Sequence, residues 1–382
     1  MQSEGEIHLR SIVECKREFN CPVIKRRSVK ECLKPLSCLV YRRITPQRNS
    51  VLEMGILRFG LIGCGKLAHL RVRHLPSQCV LAAAYDPDHS AVERLINSCE
   101  YQVAIARSAS EIIEHPDIDV IVVATPHAYL ASHAIQALRA GKHCFVEKPG
   151  GASLRDIQAL HDTSAESTGV LGFGFNHRFH PAVQLAHKTI GERRFGDIIS
   201  IRGTYGHGGR KGYEKEWRAN KEISGGGELV DQGSHLIDLV IMLLGNDIGL
   251  EYSHLTTRFW NMSVEDNAFL AVKSSEGALA WLHASWTEWK NLFRLEITLE
   301  RARIDIQGLG KSYGQESLTI HKMSPLLGPP TSETHSFGEV DVSWKQEMNH
   351  FVSSFSKHSK QKGASVEDLL VTWRIIEDAY SR

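Results

Sequence analysis

The 382-residue sequence has little of several features that mark special classes of protein. No apolar run is long enough to span a bilayer, because the longest, LIDLVIMLLG, is interrupted by Asp238. The net charge is only +1, which argues against nucleic acid as the main partner. None of the eight cysteines forms a CxxC pair, so we expect free thiols and no structural zinc. These absences predict a cytoplasmic protein with neither a membrane nor a nucleic acid as partner.

The basic residues are concentrated at the start of the chain. Residues 1–50 hold eleven Lys/Arg and five Asp/Glu, a net charge of +6, whereas the remainder carries −5. This segment has no helix or strand period and no apolar stretch of a secretory signal, and its five acids do not suit a transit peptide. We therefore interpret residues 1–53 as a disordered extension, or as the result of a start codon placed upstream of Met54.

The length predicts two domains, and residues 54–175 have the pattern of a dinucleotide-binding one. ILRFGLIGCGKLAHL (56–70) is a short apolar strand, a GxGxxA turn and the start of a helix. Its glycines allow a tight turn and a close approach to pyrophosphate, and the helix N-terminus offers N–H groups to phosphate. The cofactor-binding residues predicted from this turn are Gly63, Cys64, Gly65, Lys66 and Leu67.

A second apolar strand, VLAAAYD (80–86), strengthens this interpretation because it ends in Asp86. An acid at this position suits the ribose hydroxyls of NAD and repels the additional phosphate of NADP. The alternative is that Asp86 is a turn residue before Pro87. We expect NAD as cofactor, with NADP as the second choice.

Strands and helices continue to alternate up to residue 176, which predicts a doubly wound parallel sheet, the Rossmann arrangement. Ligands of such sheets bind at the carboxyl ends of the strands. The residues predicted at those ends are Thr125, Pro126, Glu147, Lys148 and Asn176. We expect the first four to contact the cofactor and Asn176 to contact the substrate.

The order of the motifs resembles the glucose–fructose oxidoreductase / inositol dehydrogenase / MocA family. The motifs are GxGxxA, an acid after the second strand, ATP, AGKHxxxEKP and GGGxLxDxGxHxxD, and the resemblance runs from residue 56 to the last helix. It implies a two-domain NAD(P)-dependent oxidoreductase whose second domain is a large, mostly antiparallel open sheet. It also implies a homodimer or homotetramer formed through that sheet. One departure is Leu130, which stands where family members often carry a histidine.

The remaining residues, 176–382, agree with such a second domain. Six strand-like runs follow residue 195, with enough alternation for one buried and one exposed face. Trp281, Trp286 and Trp289 suit either a subunit interface or the core. Residues 308–338 are rich in turn-forming residues and are interpreted as loops. The last helix, 365–380, is expected to pack back on the first domain.

The segment GGGELVDQGSHLID (225–238) places a carboxylate and an imidazole at the start of an apolar helix. With Asp231 as N-cap, the side chains of Asp231, His235 and Asp238 would lie on one face. The preceding glycines would allow the backbone to approach a ligand. A zinc site here is disfavoured because further ligands are missing, so no metal is predicted.

Oxidation of an alcohol by a nicotinamide requires a base for the hydroxyl proton and a donor for the oxygen. His235 suits the base, Lys148 suits the donor, and Asp231 suits a group that orients the imidazole or binds a hydroxyl. The resemblance implies the same catalytic trio. The alternatives are a helix cap for Asp231, a core histidine for His235 and a surface lysine for Lys148.

Aromatic rings beside cationic donors suit a sugar, and they occur in the loop HGGRKGYEKEWR (207–218) and in FNHRFHP. The predicted substrate-binding residues are Asn176, Arg178, Arg210, Tyr213, Trp217 and Arg218. The alternative for this loop is a solvated charged surface, and His177 and His180 are interpreted as structural.

The function hypothesis is hydride transfer between NAD(P) and a secondary hydroxyl or ketone of a sugar, polyol or sugar derivative. Two alternatives stay open: a catalytically silent NAD-binding regulator, and a hydrolase or lyase that uses NAD transiently.

Overall fold

A computed structural model describes residues 55–355 and 363–382, and the interpretation of residues 1–53 lies outside the described part. The described chain builds two β-sheets, one of six and one of eight strands. None of the helices in these two ranges is long and apolar enough to cross a membrane.

The first sheet consists of six parallel strands in the order β3-β2-β1-β4-β5-β6. Their bounds are β1 Leu57–Ile62, β2 Cys79–Tyr85, β3 Ala104–Ile105, β4 Val120–Val123, β5 His143–Glu147 and β6 Leu171–Gly174. The central strand β4 reads VIVV and is buried on both faces, as a parallel strand covered by helices must be. Strand order reverses between β1 and β4, where such sheets open a ligand crevice. The predicted doubly wound sheet is confirmed.

Five helices accompany this sheet. They are α1 Lys66–Arg73, α2 His89–Ile96, α3 Ala109–Ile113, α4 His127–Arg139 and α5 Leu154–Glu166. Helix α4 ends at Gly141, which has φ +70°, and the N–H of Lys142 donates to the carbonyl of Ala137 at 3.0 Å. This left-handed stop is the reason why a glycine closes the helix there. Leu130 is fully buried on α4.

The second sheet is mostly antiparallel, with the order β14-β13-β12-β11-β7-β10-β9-β8 and one parallel pair, β7 with β10. Its bounds are β7 Ile198–Gly206, β8 Ile248–Thr256, β9 Asn267–Ser274, β10 Leu279–Ser285, β11 Leu292–Leu299, β12 Ala302–Gln307, β13 Ser317–Lys322 and β14 Thr331–Ser336. Along the first part of β10, exposed and buried residues alternate, so one face lies against helices and the other is open. The predicted antiparallel open sheet is confirmed.

The prediction that SPLLGPPTSETHSFG, the end of residues 308–338, forms only a loop is wrong, because β14 lies within it. Strand β14 reads TSETHS and is almost entirely exposed at the sheet edge. An edge strand without apolar alternation carries no sequence signal, since its pairing depends on backbone hydrogen bonds to β13.

Five further helices pack against this sheet or against the first one and its helices. They are α6 Pro181–Gly191, α7 Lys221–Ser224, α8 Ser234–Leu244, α9 Ser343–Ser353 and α10 Val366–Ser381. A capping box formed by Ser365 and Asp368 starts α10. The Trp373 indole N–H donates to the carbonyl of Pro149 at 2.9 Å, so α10 packs against the turn that follows β5.

Candidate active site

The loop after β1 has the properties of a phosphate-binding turn. Gly63 has φ +92°, and a Cβ there would lie 2.6 Å from the carbonyl oxygen of Ala124. A Cβ on Gly65 would meet nothing within 4 Å, so that side of the loop is open. Helix α1 starts at Lys66 and no side chain caps its N-terminus. Uncapped N–H groups beside an open glycine turn suit the pyrophosphate of a dinucleotide.

Asp86 lies beside this loop at the end of β2. Its Oδ2 accepts the N–H of Cys64 at 2.8 Å, and its Oδ1 accepts the N–H of Asp88 at 2.9 Å. The carboxylate therefore closes a local turn and also borders the glycine loop. A residue that binds the ribose hydroxyls of a dinucleotide is expected at this position. The Cys64 side chain is buried, and burial, followed by Asp86, raises the pKa of its thiol to about 12. Cys64 thus contributes to the loop through its backbone N–H, which binds Asp86, rather than through its sulfur.

Thr125 and Pro126 follow β4, and Pro126 is the N-cap of α4. Lys66 is exposed and Leu67 is half-buried in the first turn of α1. The predicted cofactor residues of β1, β2 and β4 therefore share the carboxyl edge of the sheet.

Glu147 does not belong to this group, although the sequence suggested it. Its Oε1 accepts from Nε of Arg71 at 2.5 Å, Arg71 also binds Glu347, and all three are buried. Burial outweighs Arg71 and raises the pKa of Glu347 to about 8. Side chains alternate across a strand, so Glu147 points into the interior while its neighbour Lys148 points to the cleft.

Lys148 is joined to Asp231 although 83 residues separate them. Its Nζ donates to the backbone oxygen and to Oδ1 of Asp231, both at 2.5 Å, and Nε of Arg218 donates to Oδ2 at 3.1 Å. Burial alone would raise the pKa of Asp231, but Lys148 and Arg218 together outweigh it and hold that pKa well below its usual range. Lys148 is therefore an ion-paired group at the end of β5 and not a surface lysine.

Asp231 is not the N-cap of a helix, contrary to the prediction. It lies inside a π-helical turn, Leu229–Gly233, that runs directly into α8, and its N–H donates to the carbonyl of Gly227 at 3.0 Å. Asp238 does not share its surroundings either, because it accepts two hydrogen bonds from Arg178. The apolar sequence gives no signal for this wider turn. Within it, the backbone carbonyl of Asp231 accepts a hydrogen bond from Lys148.

The three glycines before this turn pack against protein rather than a ligand, which corrects the expected role. A Cβ on Gly225, Gly226 or Gly227 would lie 2.4 Å or less from another residue: the carbonyl of Ala152, the hydroxyl of Tyr380 or the carbonyl of Glu265. Glu265 also accepts N–H groups of Gly227 and Leu229 and the Tyr380 hydroxyl, at 2.7 to 3.2 Å. These contacts fix where the π-helical turn before α8 begins.

His235 lies on α8, and aromatic rings from other elements surround its imidazole. His177 stacks on it at 4.0 Å, and Phe175 and Tyr205 meet it edge-on at 5.5 and 5.9 Å. Its Nδ1 is buried without a partner, so Asp231 does not orient the ring as predicted. Burial, followed by the Lys148 ammonium, lowers the pKa of His235 well below its ordinary value. The imidazole is therefore neutral and fixed by packing.

Two of the predicted substrate ligands are bound inside the protein. Nδ2 of Asn176 donates to Ser343 at 2.9 Å, and Arg178 pairs with Asp238 and Asp368 at 2.7 and 2.9 Å. Asn176 and Arg178 are 6% and 5% exposed, so neither offers a free group to a sugar. We therefore withdraw both as substrate residues, because their side chains bind residues of α9 and α10, whereas His177 on the same short 3-10 turn stacks on His235.

The loop 207–218 contributes only part of its predicted residues to the site. Tyr213 is 2% exposed and packs against Trp286 at 4.9 Å, so it is a core residue. The side chain of Arg210 is exposed at the surface and forms an ion pair with Glu216. Trp217 is half-buried, with Arg218 stacked on its ring at 4.4 Å. Arg218 belongs to the site because it forms an ion pair with Asp231.

Sequence reasoning missed His127 and Tyr205. His127 is buried at the start of α4, where its Nδ1 lies 2.7 Å from the carbonyl oxygen of Ser224. The position of His127 directly after Thr125 and Pro126 was an available signal. Tyr205, near the end of β7, carried no such signal, because only the tertiary structure brings it to His235.

Comparison with known proteins agrees with this architecture. Residues 57–175 match the model of an oxidoreductase family with an NAD-binding Rossmann fold, and residues 183–305 match the GFO/IDH/MocA C-terminal domain. The protein is therefore a two-domain member of an oxidoreductase family with an NAD-binding Rossmann domain. More particularly, the chain belongs to the glucose–fructose oxidoreductase / inositol dehydrogenase / MocA family, as its motifs predicted.

Similar proteins are named as sugar dehydrogenases. Levoglucosan dehydrogenase of Pseudarthrobacter phenanthrenivorans is 40% identical over 136 residues, 35% of each chain. D-glucoside 3-dehydrogenase of Escherichia coli is 25% identical over 267 residues, 62% of this chain and 72% of that one. The match thus spans about a third of the first relative and about three quarters of the second. A solved levoglucosan dehydrogenase in complex with NADH and L-sorbose has a TM-score of 0.74 at 23% identity, covering 85% of this chain and 97% of that one.

Proposed function

We propose that this protein is an NAD(P)-dependent oxidoreductase that transfers a hydride between nicotinamide and a secondary hydroxyl, or the matching ketone, of a sugar, polyol or sugar derivative. One observation carries the proposal: the ammonium of Lys148 is ion-paired with Asp231, which lies four residues before the buried imidazole of His235. A cation beside a neutral base, next to a dinucleotide loop, is the arrangement that alcohol oxidation requires.

The residues present fit a dinucleotide. The open turn at Gly65, the uncapped N-terminus of α1 and the carboxylate of Asp86 would hold pyrophosphate and ribose, and Thr125 and Pro126 would border the nicotinamide. Bound nicotinamide supplies the hydride acceptor.

His235 would then remove the hydroxyl proton of the sugar. Its Nδ1 is buried, so Nε2 is the nitrogen that serves as base, and its lowered pKa keeps it unprotonated. Lys148 would donate a hydrogen bond to the same oxygen as negative charge develops on it. Asp231 holds the Lys148 ammonium in place, and Arg218 holds the second oxygen of Asp231.

The sugar would lie against Trp217 and Arg218. Trp217 is half-buried, and the guanidinium of Arg218 covers its ring while retaining 23% of its side-chain exposure. An aromatic ring offers its face to the C–H groups of a sugar, and a partly exposed guanidinium offers donors to its hydroxyls.

The experiment is nicotinamide absorbance with NAD and NADP separately, against levoglucosan, D-glucose, myo-inositol, sugar acids and nucleotide sugars. We expect NADH to form with one class of compound. His235→Asn should lower kcat by a factor of about 10² to 10⁴ without changing NADH affinity, because a general base contributes that much. His161→Asn, in an exposed part of α5, is the matched control and should retain full activity.

Two other results would favour the alternative functions. Tight NADH binding without turnover of any compound would point to a catalytically silent regulator. Product formation that requires NAD but yields no net NADH would point to a hydrolase or lyase that uses the cofactor transiently.

We also propose that the enzyme is a cytoplasmic homodimer or homotetramer that associates through the open face of the second sheet. Tyr252 and Trp281 stack on that face at 6.0 Å and are 49% and 43% exposed, and such exposed rings suit an interface. The four cysteines in the described ranges are free thiols, which suits a reducing compartment. Trp281→Glu should reduce the mass found by sedimentation equilibrium, whereas an unchanged mass would contradict this interface.

A further inference from the structure

His127 is a buried histidine in the cleft to which the mechanism above gives no role. It is the first residue of α4, directly after the strand β4, and Lys148 follows the neighbouring strand β5. The two side chains therefore start from adjacent strand ends. The ring of His127 meets that of Trp217 at 4.8 Å. Arg218, which stacks on Trp217, binds Asp231 at 3.1 Å, so His127 lies beside the same cluster.

The contact with Ser224 fixes the tautomer of His127. A backbone carbonyl can only accept a hydrogen bond, so Nδ1, at 2.7 Å from the oxygen of Ser224, must carry the proton. Burial, followed by the Lys148 ammonium, lowers the pKa of His127 to about 3. The ring is therefore neutral at physiological pH, and its Nε2 offers a lone pair.

Nε2 has no partner among residues 55–355 and 363–382. It takes part in no hydrogen bond there, and it is not one of the buried polar atoms that lack a partner, so it keeps contact with open space. His127 is only 3% exposed, and Nε2 is the ring nitrogen that the contact with Ser224 leaves unpaired. The ring of Trp217 lies edge-on to it at 4.8 Å, with Arg218 stacked on that ring.

We infer that His127 is a specificity-determining residue whose Nε2 accepts a hydrogen bond from a hydroxyl of the bound sugar, an inference that rests on the proposed function. The neighbouring groups are the cationic donors Lys148 and Arg218 and the carboxylate of Asp231. Both oxygens of Asp231 already accept from those donors, so Nε2 of His127 is an acceptor that remains unpaired. A hydroxyl both donates and accepts, and it can therefore bridge His127 and these donors. An analogue that lacks this hydroxyl leaves the imidazole unpaired and is disfavoured.

The test uses His127→Asn. The side-chain N–H of asparagine can take the place of Nδ1 and preserve the bond to Ser224, while the acceptor at Nε2 is lost. We expect the KM of the most rapidly oxidised compound among levoglucosan, D-glucose and myo-inositol to rise about tenfold, the usual effect of one lost hydrogen bond. The KM should change more than kcat does, and the melting temperature should fall slightly, because asparagine is smaller than the buried histidine.

A second variant, His127→Gln, separates the acceptor from the fold. Its amide oxygen can reach the position of Nε2, so the KM should return toward the wild-type value although the Ser224 contact is lost and the melting temperature falls. An unchanged sugar KM in His127→Asn overturns the inference. A raised dissociation constant for NADH with an unchanged sugar KM also overturns it, because the acceptor then serves the nicotinamide carboxamide.

The outcomes also separate this inference from the proposed function. Wild-type protein that oxidises none of the three compounds refutes the proposed function for them, and the inference fails with it. Wild-type protein that is active, beside a His127→Asn variant with the same KM, refutes the inference alone.

Discussion

The substitution Asp231→Asn distinguishes an ion-paired carboxylate from a helix cap. Asparagine is as good a cap as aspartate, so a capping role predicts almost no loss of stability. Here the carboxylate lies between Lys148 and Arg218, and the change leaves Lys148 without its counter-charge and Arg218 with only Glu216, at 3.8 Å. Removal of one partner of a buried pair costs about 3–5 kcal/mol. Because Lys148 and Asp231 retain 12% and 11% side-chain exposure, we expect the lower end, about 3 kcal/mol.

Activity should fall as well, because Lys148 loses the charge that holds its ammonium. A misplacement of about 1 Å at a reacting centre costs roughly 100-fold in rate, and we expect kcat to fall by that factor. Urea unfolding measures the stability, and steady-state kinetics measure kcat under conditions where the variant is folded. NADH should still bind, because the glycine loop and Asp86 are unchanged.

Asp238→Asn is the matched control on the same helix. Asp238 is fully buried and pairs with Arg178, away from Lys148, so its removal should cost stability but leave the kcat of the folded enzyme unchanged. The reasoning is refuted if Asp231→Asn unfolds at the wild-type urea concentration with wild-type kcat. It is equally refuted if both variants lose kcat to the same extent.

Three further predictions concern the cofactor site, the glycine turn and the pH dependence. Asp86→Ser should reduce the preference for NAD over NADP, measured as a ratio of kcat/KM, by about tenfold, and an unchanged ratio would exclude the ribose role. Gly227→Ala should cost about 3 kcal/mol in urea unfolding, because its Cβ would lie 2.1 Å from the carbonyl of Glu265, whereas Gly65→Ala should retain stability and weaken NADH binding. The kcat/KM should stay constant as the pH falls through 6.5, because the lowered pKa of His235 keeps the base neutral there, and an acidic midpoint near 6.5 would contradict that assignment.

Much of the candidate site could be predicted from short stretches of sequence. The glycine turn from Gly63 and the acid at Asp86 follow strands whose apolar runs are visible, and their spacing reflects local geometry alone. Lys148 and His235 were predicted for the same reason, since a strand end and a helical repeat fix their positions. The open antiparallel sheet was equally visible, because the alternation in β7 to β12 is a local pattern.

The errors about ligand-binding residues share one physical cause, which is that a polar side chain does not reveal its partner. Glu147 and Arg178 have the residue types of ligand-binding groups, yet their partners Arg71 and Asp238 lie 76 and 60 residues away in sequence. Each pair satisfies its charge in the interior, where an unpaired ion would be very costly. The glycines before Asp231 likewise pack against distant chain.

The sequence by itself determined the elements and the chemical groups, because strand alternation, helical spacing and glycine conformation act over a few residues. Only the tertiary structure decided which of those groups meet in the cleft. It joined Lys148 to Asp231 and Arg218, removed Glu147 and Arg178 from the site, and brought His127 against Ser224. Such choices depend on desolvation and pairing between residues distant in the chain, which no local pattern encodes.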